Sequence, residues 1–244
     1  PGQPDLNKGL KAFGEKLDDR LEASLNSCVH CGLCADSCHY FVATGDPRVQ
    51  PAYKVALVQQ VYKRHFTRSG KLLPYLVGAR DLDDQMLGKW MDALFGSCSG
   101  CARCTLNCTV GLNIPKIVRA GRSAIAAMNM VPSELQSTVD AAVNTGNNMA
   151  IPKAEWLDTI SWLNEEVQQE LASTVPMFPM DSPGAKLLYT VNPREVKFFP
   201  MSLMAAAKIF HAAKESWTFS ADHYDVTNYG LFSGSDEAAG LIAG

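Results

Sequence analysis

The sequence has no apolar run of about 18 residues or more, which is what a helix needs to cross a bilayer. Nor does it open with the charged, apolar and small-residue regions of a secretory signal; it starts at Pro1 without methionine, as a processed or incomplete N-terminus would. Both observations predict a cytoplasmic protein. Net charge is nearly absent too, −3 with a pI near 6.0. No global field therefore draws the chain to nucleic acid or anionic lipid, and the interleaved basic and aromatic residues of a nucleic-acid surface are missing. What charge there is lies segregated. From Pro47 to Arg80 there is no Asp or Glu but seven bases (Arg48, Lys54, Lys63, Arg64, Arg68, Lys71, Arg80), and from Glu155 to Asp181 there are six acids and no base. The basic stretch reads as a solvated helix face or as a docking surface, which charge reversal at Lys63, Arg64 and Arg68 would separate.

Cysteine is missing from everything but two short runs, CVHCGLCADSCHYF from Cys28 and CSGCARCTLNC from Cys98, which together use all eight cysteines of the chain. The shared spacing is Cys28-x2-Cys31-x2-Cys34-x3-Cys38 and Cys98-x2-Cys101-x2-Cys104-x3-Cys108. Disulfides fit poorly, because two identical clusters in a long, apolar, enzyme-like chain point to metal binding. Zinc fits poorly as well, since structural zinc sites take cysteines as two separated pairs, whereas each run here has three equally gapped thiolates and a displaced fourth. The spacing matches the bacterial ferredoxin run, in which the fourth cysteine ligates the other cluster of a two-cluster protein. That predicts one [4Fe-4S] cluster on Cys28, Cys31, Cys34 and Cys108 and a second on Cys98, Cys101, Cys104 and Cys38. The proline that usually follows the fourth cysteine is replaced by His39 and Thr109. His39, like His30 inside the first run, reads either as an ordinary histidine or as a hydrogen-bond donor that tunes a cluster.

Periodicity predicts a mainly α protein. Leu6, Leu10, Phe13, Leu17, Leu21 and Leu25 make one amphipathic helix over 1–27 that packs on a core or a partner, its balanced charges arguing against a membrane surface. A helix from Pro51 to about Phe66 follows, then a loop through Ser69, Gly70 and Pro74, an apolar piece from Met86 to Leu94, and a helix from about Pro115 with Ile117, Val118, Gly121 and Ile125 on one face. Further helices are expected from Ser133 to about Asn144 and from Pro152 to about Leu171, the latter with a core stripe of Trp156, Ile160, Leu163 and Val167. Residues 28–174 thus read as an α-helical two-cluster ferredoxin domain and 175–184, rich in proline, as a linker. In 185–244 a buried strand near Lys186 to Val191, a helix from Pro200 to Ser216, a strand at Trp217 to Ser220 and a helix near Ser235 open a βαβ unit. Two strands do not make a covered parallel sheet, so this segment reads as the start of an incomplete α/β domain. No phosphate-binding loop is present, Gly230 to Gly234 reading as a turn.

The order of helix, CVHCGLCADSCHYF, helical insert, CSGCARCTLNCTVGLNIPKIVR and further helices resembles the N-terminal domain of the heterodisulfide reductase C/D family. The tail, from AKLLYTVNPREVKFFP to DHYDVTNYGLFSGSDEAAG, is most similar to the DsrK-type subunits of the Dsr membrane complexes of sulfate reducers. The resemblance implies an oxidoreductase that takes electrons from a membrane cytochrome b-type subunit and passes them through two cubanes. They go on to a third, non-cubane-type [4Fe-4S] site that reduces a disulfide or trisulfide on a small DsrC-like protein. It also implies peripheral attachment to the inner membrane through partner subunits. That third site sits in Cys-Cys-Gly motifs, and this sequence has no cysteine after Cys108, so the catalytic residues are expected outside it. The other expectation is a stand-alone electron carrier docking on a flavoprotein dehydrogenase or a heterodisulfide reductase.

Overall fold

The computed structural model describes residues 4–172 and 176–244. It is mainly helical and divides into two compact units, 1–132 with 231–236, and 133–230 with 237–244.

The first unit is organised around the helix Pro51–Phe66, which starts with proline at its first turn, where a missing N–H costs nothing. Val55, Val58 and Val61 are fully buried there and Leu57 and Tyr62 nearly so. Against it packs Ile114–Ala127, capped by the Asn113 side chain accepting from Lys116 N at 3.1 Å. Gly121 is what lets the elements close up: a Cβ there would lie 2.5 Å from Leu94 Cδ1. Two helices, Leu6–Glu15 and Asp19–Ser27, cover this pair, where the sequence predicts one. The break has a local cause, the Asp18 carboxylate accepting from Leu21 N at 2.7 Å and so capping a new helix. The predicted stripe is nonetheless kept, with Phe13, Leu21 and Leu25 buried and Leu6, Leu10 and Leu17 packed on the same core. The expected loop after Phe66 instead holds two short helices, Arg68–Leu72 and Pro74–Val77, the first capped by Thr67 Oγ1 accepting from Gly70 N at 3.1 Å. The apolar piece becomes Asp84–Trp90, continued by a π-helical turn Met91–Gly96.

The second unit has its own core. Trp156, Ile160, Leu163 and Val167 of Lys153–Leu171 pack with Met177, Phe178, Leu203, Trp217, Phe219 and Tyr224. The core stripe read from sequence therefore serves this unit and not the one carrying the cysteines, and the structure divides the chain after Pro132, upstream of the proline-rich segment. That segment is not a free linker: Met177 and Phe178 are buried, and Phe219 N donates to Pro179 O at 2.9 Å; Val175 lies outside the described residues. A parallel pair, β1 (Leu187–Leu188) and β2 (Trp217–Thr218), is joined through the helices Pro193–Phe198 and Pro200–Ala213. The order is the expected βαβ opening, but β1 is exposed rather than buried, because nothing in the described residues covers its outer side.

Gly230 to Gly234 is not a plain turn. A short helix, Tyr229–Ser233, fills most of it, and Gly234 follows at φ +89, where a Cβ would lie 2.6 Å from Arg122 C.

Candidate functional site

Each cysteine run adopts the same backbone path. In the first, His30 (φ 54) and Gly32 (φ 84) flank Cys31 in the left-handed region; in the second, Gly100 (φ 71) and Ala102 (φ 63) flank Cys101 in the same way. The hydrogen bonds repeat as well: Ala35 N to Gly32 O (2.8 Å) and Cys38 N to Ala35 O (2.9 Å) correspond to Thr105 N to Ala102 O (2.9 Å) and Cys108 N to Thr105 O (3.2 Å). Left-handed residues on both sides of the middle cysteine curl the chain around a point, and for His30 and Ala102 that conformation is held against a steric cost.

The runs fold so that their cysteines exchange partners. Cys28, Cys31 and Cys34 line one cavity together with Cys108. Cys98, Cys101 and Cys104 line another together with Cys38. The floor comes from the central helices: Ala52 and Val55 on one side, Pro51 and Lys54 on the other, with Ile114 lining both. Ile114 is thus shared by the two sites, and Cys34 lies near enough to Cys104 for their charges to interact.

Burial favours the protonated thiol at Cys28, Cys34 and Cys104. Desolvation pushes the Cys104 thiol up to about 11, and raises those of Cys28 and Cys34. A soft metal that replaces the proton removes this penalty, so the donor set suits iron–sulfur chemistry. Among the described residues no three His, Cys, Asp or Glu converge closely enough to hold one ion. A cubane does not require that, because each thiolate binds its own iron at its own corner.

Of the two histidines singled out, His30 has the closer tie to a cysteine: its Nδ1 is 3.7 Å from Cys28 Sγ, and Nε2 is 3.1 Å from Gln59 Oε1, which fixes the ring through Gln59 Nε2 donating to Leu25 O at 2.5 Å. His39 is exposed, lies against Tyr40 with ring centroids 4.5 Å apart, and lines the second cavity. Two groups escaped the sequence reading. Lys54, counted with the basic surface stretch, is buried; Arg122 is also buried and donates from Nη2 to Cys98 O at 2.5 Å. Lys54 occupies a position of the apolar stripe between Pro51 and Val58, and a lysine in such a stripe was the available signal.

Residues 24–112 match the family model of the 4Fe-4S dicluster domain. Over 96% of its length the chain is 28% identical to the Hdr-like menaquinol oxidoreductase iron-sulfur subunit of Archaeoglobus profundus, covering 43% of that protein. It is also 28% identical, over 94% of its length, to the Hdr-like menaquinol oxidoreductase iron-sulfur subunit 2 of Archaeoglobus fulgidus, again covering 43%. A weaker similarity, 23% identity over 63% of the chain and 36% of the relative, links it to one of the subunits of the dihydromethanophenazine:CoB--CoM heterodisulfide reductase of Methanosarcina mazei. The chain spans less than half the length of these curated relatives, and no solved structure matches it. The matches support a 4Fe-4S dicluster segment at residues 24–112 in a chain that is similar, over most of its length, to iron–sulfur subunits of Hdr-like oxidoreductases.

Proposed function

We propose that this chain carries electrons through two [4Fe-4S] clusters within an Hdr-like oxidoreductase complex. Cys28, Cys31, Cys34 and Cys108 hold one cluster; Cys98, Cys101, Cys104 and Cys38 hold the other. The observation that carries the reading is the exchange of the fourth cysteine between two cavities walled by four cysteines each. Bound there, the clusters would supply one-electron transfer. The chain's own part is to keep both sites half-shielded from water and adjoining at the shared Ile114, so that an electron crosses a short gap. Quinol oxidation by a cytochrome b-type partner would feed the clusters, consistent with the naming of the Archaeoglobus relatives, and disulfide chemistry would take place on a non-cubane cluster outside this sequence. The finer reading, a DsrK-type subunit acting on a DsrC-like protein, rests on the tail from Ala185 onward.

Anaerobic reconstitution of the chain followed by iron and sulfide analysis and electron paramagnetic resonance tests this. Two interacting [4Fe-4S] signals on reduction are expected. Metal found only as zinc, or a single cluster, overturns the reading.

A partner subunit docks, in this reading, on the short helices between Arg68 and Val77. Tyr75 and Leu76 are 91% and 81% exposed, Leu72 and Leu73 are exposed beside them, and Arg68, Lys71 and Arg80, on or just after these helices, are exposed as well. An exposed apolar patch whose own helices carry bases unpaired among the described residues fits a protein face that carries acids, although Asp81 and Asp83 share the groove beside Tyr75. Of the bases singled out from the sequence, Arg64 is engaged by Asp81 (2.9 Å) and Lys63 donates to Val77 O (3.4 Å), which leaves Arg68 and Lys71 as the better probes. Glutamate at both is expected to release the chain from its complex at lower salt than the native protein; assembly unchanged across salt sinks the docking surface.

A further inference from the structure

The two cysteine cavities differ in charge. Lys54 is 2% exposed and lines the cavity of Cys38, Cys98, Cys101 and Cys104. Its Nζ donates to Val49 O at 2.5 Å, the same carbonyl that lies 3.9 Å from Cys38 Sγ, and no carboxylate pairs with it among the described residues. Arg122, 3% exposed, is held in the same manner. Nε and Nη2 donate to Leu94 O (3.0 and 2.6 Å), Nη2 to Cys98 O (2.5 Å) and Nη1 to Phe232 O (2.9 Å), while the guanidinium lies between the rings of Phe95 (4.9 Å) and Phe232 (4.0 Å). Every partner is neutral. Around the other cavity stand His30, Ala52, Val55, Val110 and Leu112, and no lysine or arginine among the described residues lines it.

A buried cation without a counter-charge is costly, and two of them beside one cavity call for an anion inside it. Desolvation lowers the Lys54 pKa, and the charges that oppose this come first from Cys98, Cys38 and Cys104 of that set and last from Cys34 of the other, which places the ammonium mainly in the field of the cavity it lines. A cluster ligated by four thiolates is such an anion, and on reduction it gains one electron and one further unit of negative charge with no bond made or broken. A fixed positive charge therefore stabilises the reduced form more than the oxidised one, raising the potential.

We propose that Lys54 and Arg122 are built-in counter-cations of the cluster held by Cys38, Cys98, Cys101 and Cys104, and make it the higher-potential cluster of the two. This rests on the two-cluster reading above. An electron entering at the Cys28, Cys31, Cys34 and Cys108 site then runs downhill past Ile114 to the Lys54 side, so the Lys54 side faces the acceptor. Both residues tune potential and neither is a cluster ligand.

The test is a redox titration, followed by electron paramagnetic resonance, of the reconstituted native chain, Lys54→Met and Lys54→Arg, with iron and sulfide counted in each. Lys54→Met is expected to lower the potential of one cluster at least tenfold in its reduced-to-oxidised ratio, ~59 mV for one electron. The other cluster should stay unmoved, and Lys54→Arg should stay near the native value. The same shift should persist in a Cys108→Ser background and be absent in Cys38→Ser. Should Lys54→Met lose that cluster while Lys54→Arg keeps it, the charge requirement is met in a stronger form. Loss in both variants, full cluster content with neither potential moved, or a shift confined to the other cluster overturns the proposal while leaving the two-cluster reading standing. A native chain that binds no clusters removes both.

Discussion

Serine at Cys108 is expected to destroy the cluster of the first cysteine run and spare that of the second, although Cys108 belongs to the second run. Cys38→Ser is expected to do the reverse. Each variant should lose half of its iron and sulfide and one of two resonance signals. The physical reason is the crossing of the runs: Cys108 lines the cavity of Cys28, Cys31 and Cys34, and Cys38 that of Cys98, Cys101 and Cys104. A serine hydroxyl is a poor substitute for a thiolate at iron, being far less acidic and harder as a ligand. Halved iron alone would not tell a crossed arrangement from a local one, so the assay must say which half is lost. Cys31 and Cys101 are exposed and report on the two sites separately. With Cys108→Ser, iodoacetamide should label Cys31 and leave Cys101 protected; with Cys38→Ser the pattern should invert. Labelling of Cys101 in the Cys108 variant would mean that each run binds its own cluster.

Much of this site is legible in the sequence because its determinants are local. A two-residue gap between cysteines leaves few ways to present their sulfurs, and glycine at Gly32 and Gly100 supplies positive φ where the turn requires it. The helices Pro51–Phe66, Ile114–Ala127 and Lys153–Leu171 are legible because their apolar spacing and proline starts are written within each segment. What periodicity does not carry is the identity of the surface a stripe meets. The stripe of Trp156 and Ile160 looks the same whether it covers the cluster domain or, as it does, the second core. Lys54 shows the same limit, since a count of bases along 47–80 cannot separate an ammonium facing water from one facing four cysteines, and only the contacts of its helix do. Arg122 is less legible still. Its partners Leu94, Cys98 and Phe232 are far from it in sequence, and no local pattern announces a buried guanidinium. The missed break near Asp18 is of another kind: a single capping carboxylate outweighs the continuity of a leucine stripe that runs straight through it.

The largest effect on stability is expected at Trp156. Its ring is fully buried, stacks on Tyr224 with centroids 4.3 Å apart, meets Phe219 edge-on at 5.4 Å, and donates from Nε1 to Ser220 O at 3.3 Å. Trp156→Ala leaves a cavity in the middle of that core and strips the Tyr224 ring of its neighbour, at a cost of about 3–5 kcal/mol. For a unit of this size the loss corresponds to a fall in melting temperature of roughly 12 °C or more. Trp162 provides the control, since it lies on the same helix but is 47% exposed. Trp162→Ala should stay within about 0.5 kcal/mol of the native chain. Thermal denaturation followed by circular dichroism compares the two directly, and equal effects would mean that Lys153–Leu171 does not bury the face described. The clusters supply a second readout. All eight cysteines lie in the first unit, so iron content and visible absorption of Trp156→Ala should survive at temperatures where its second core has melted. Bleaching that coincides with that melting would mean that the cluster sites draw their stability from the second core as well as from their own.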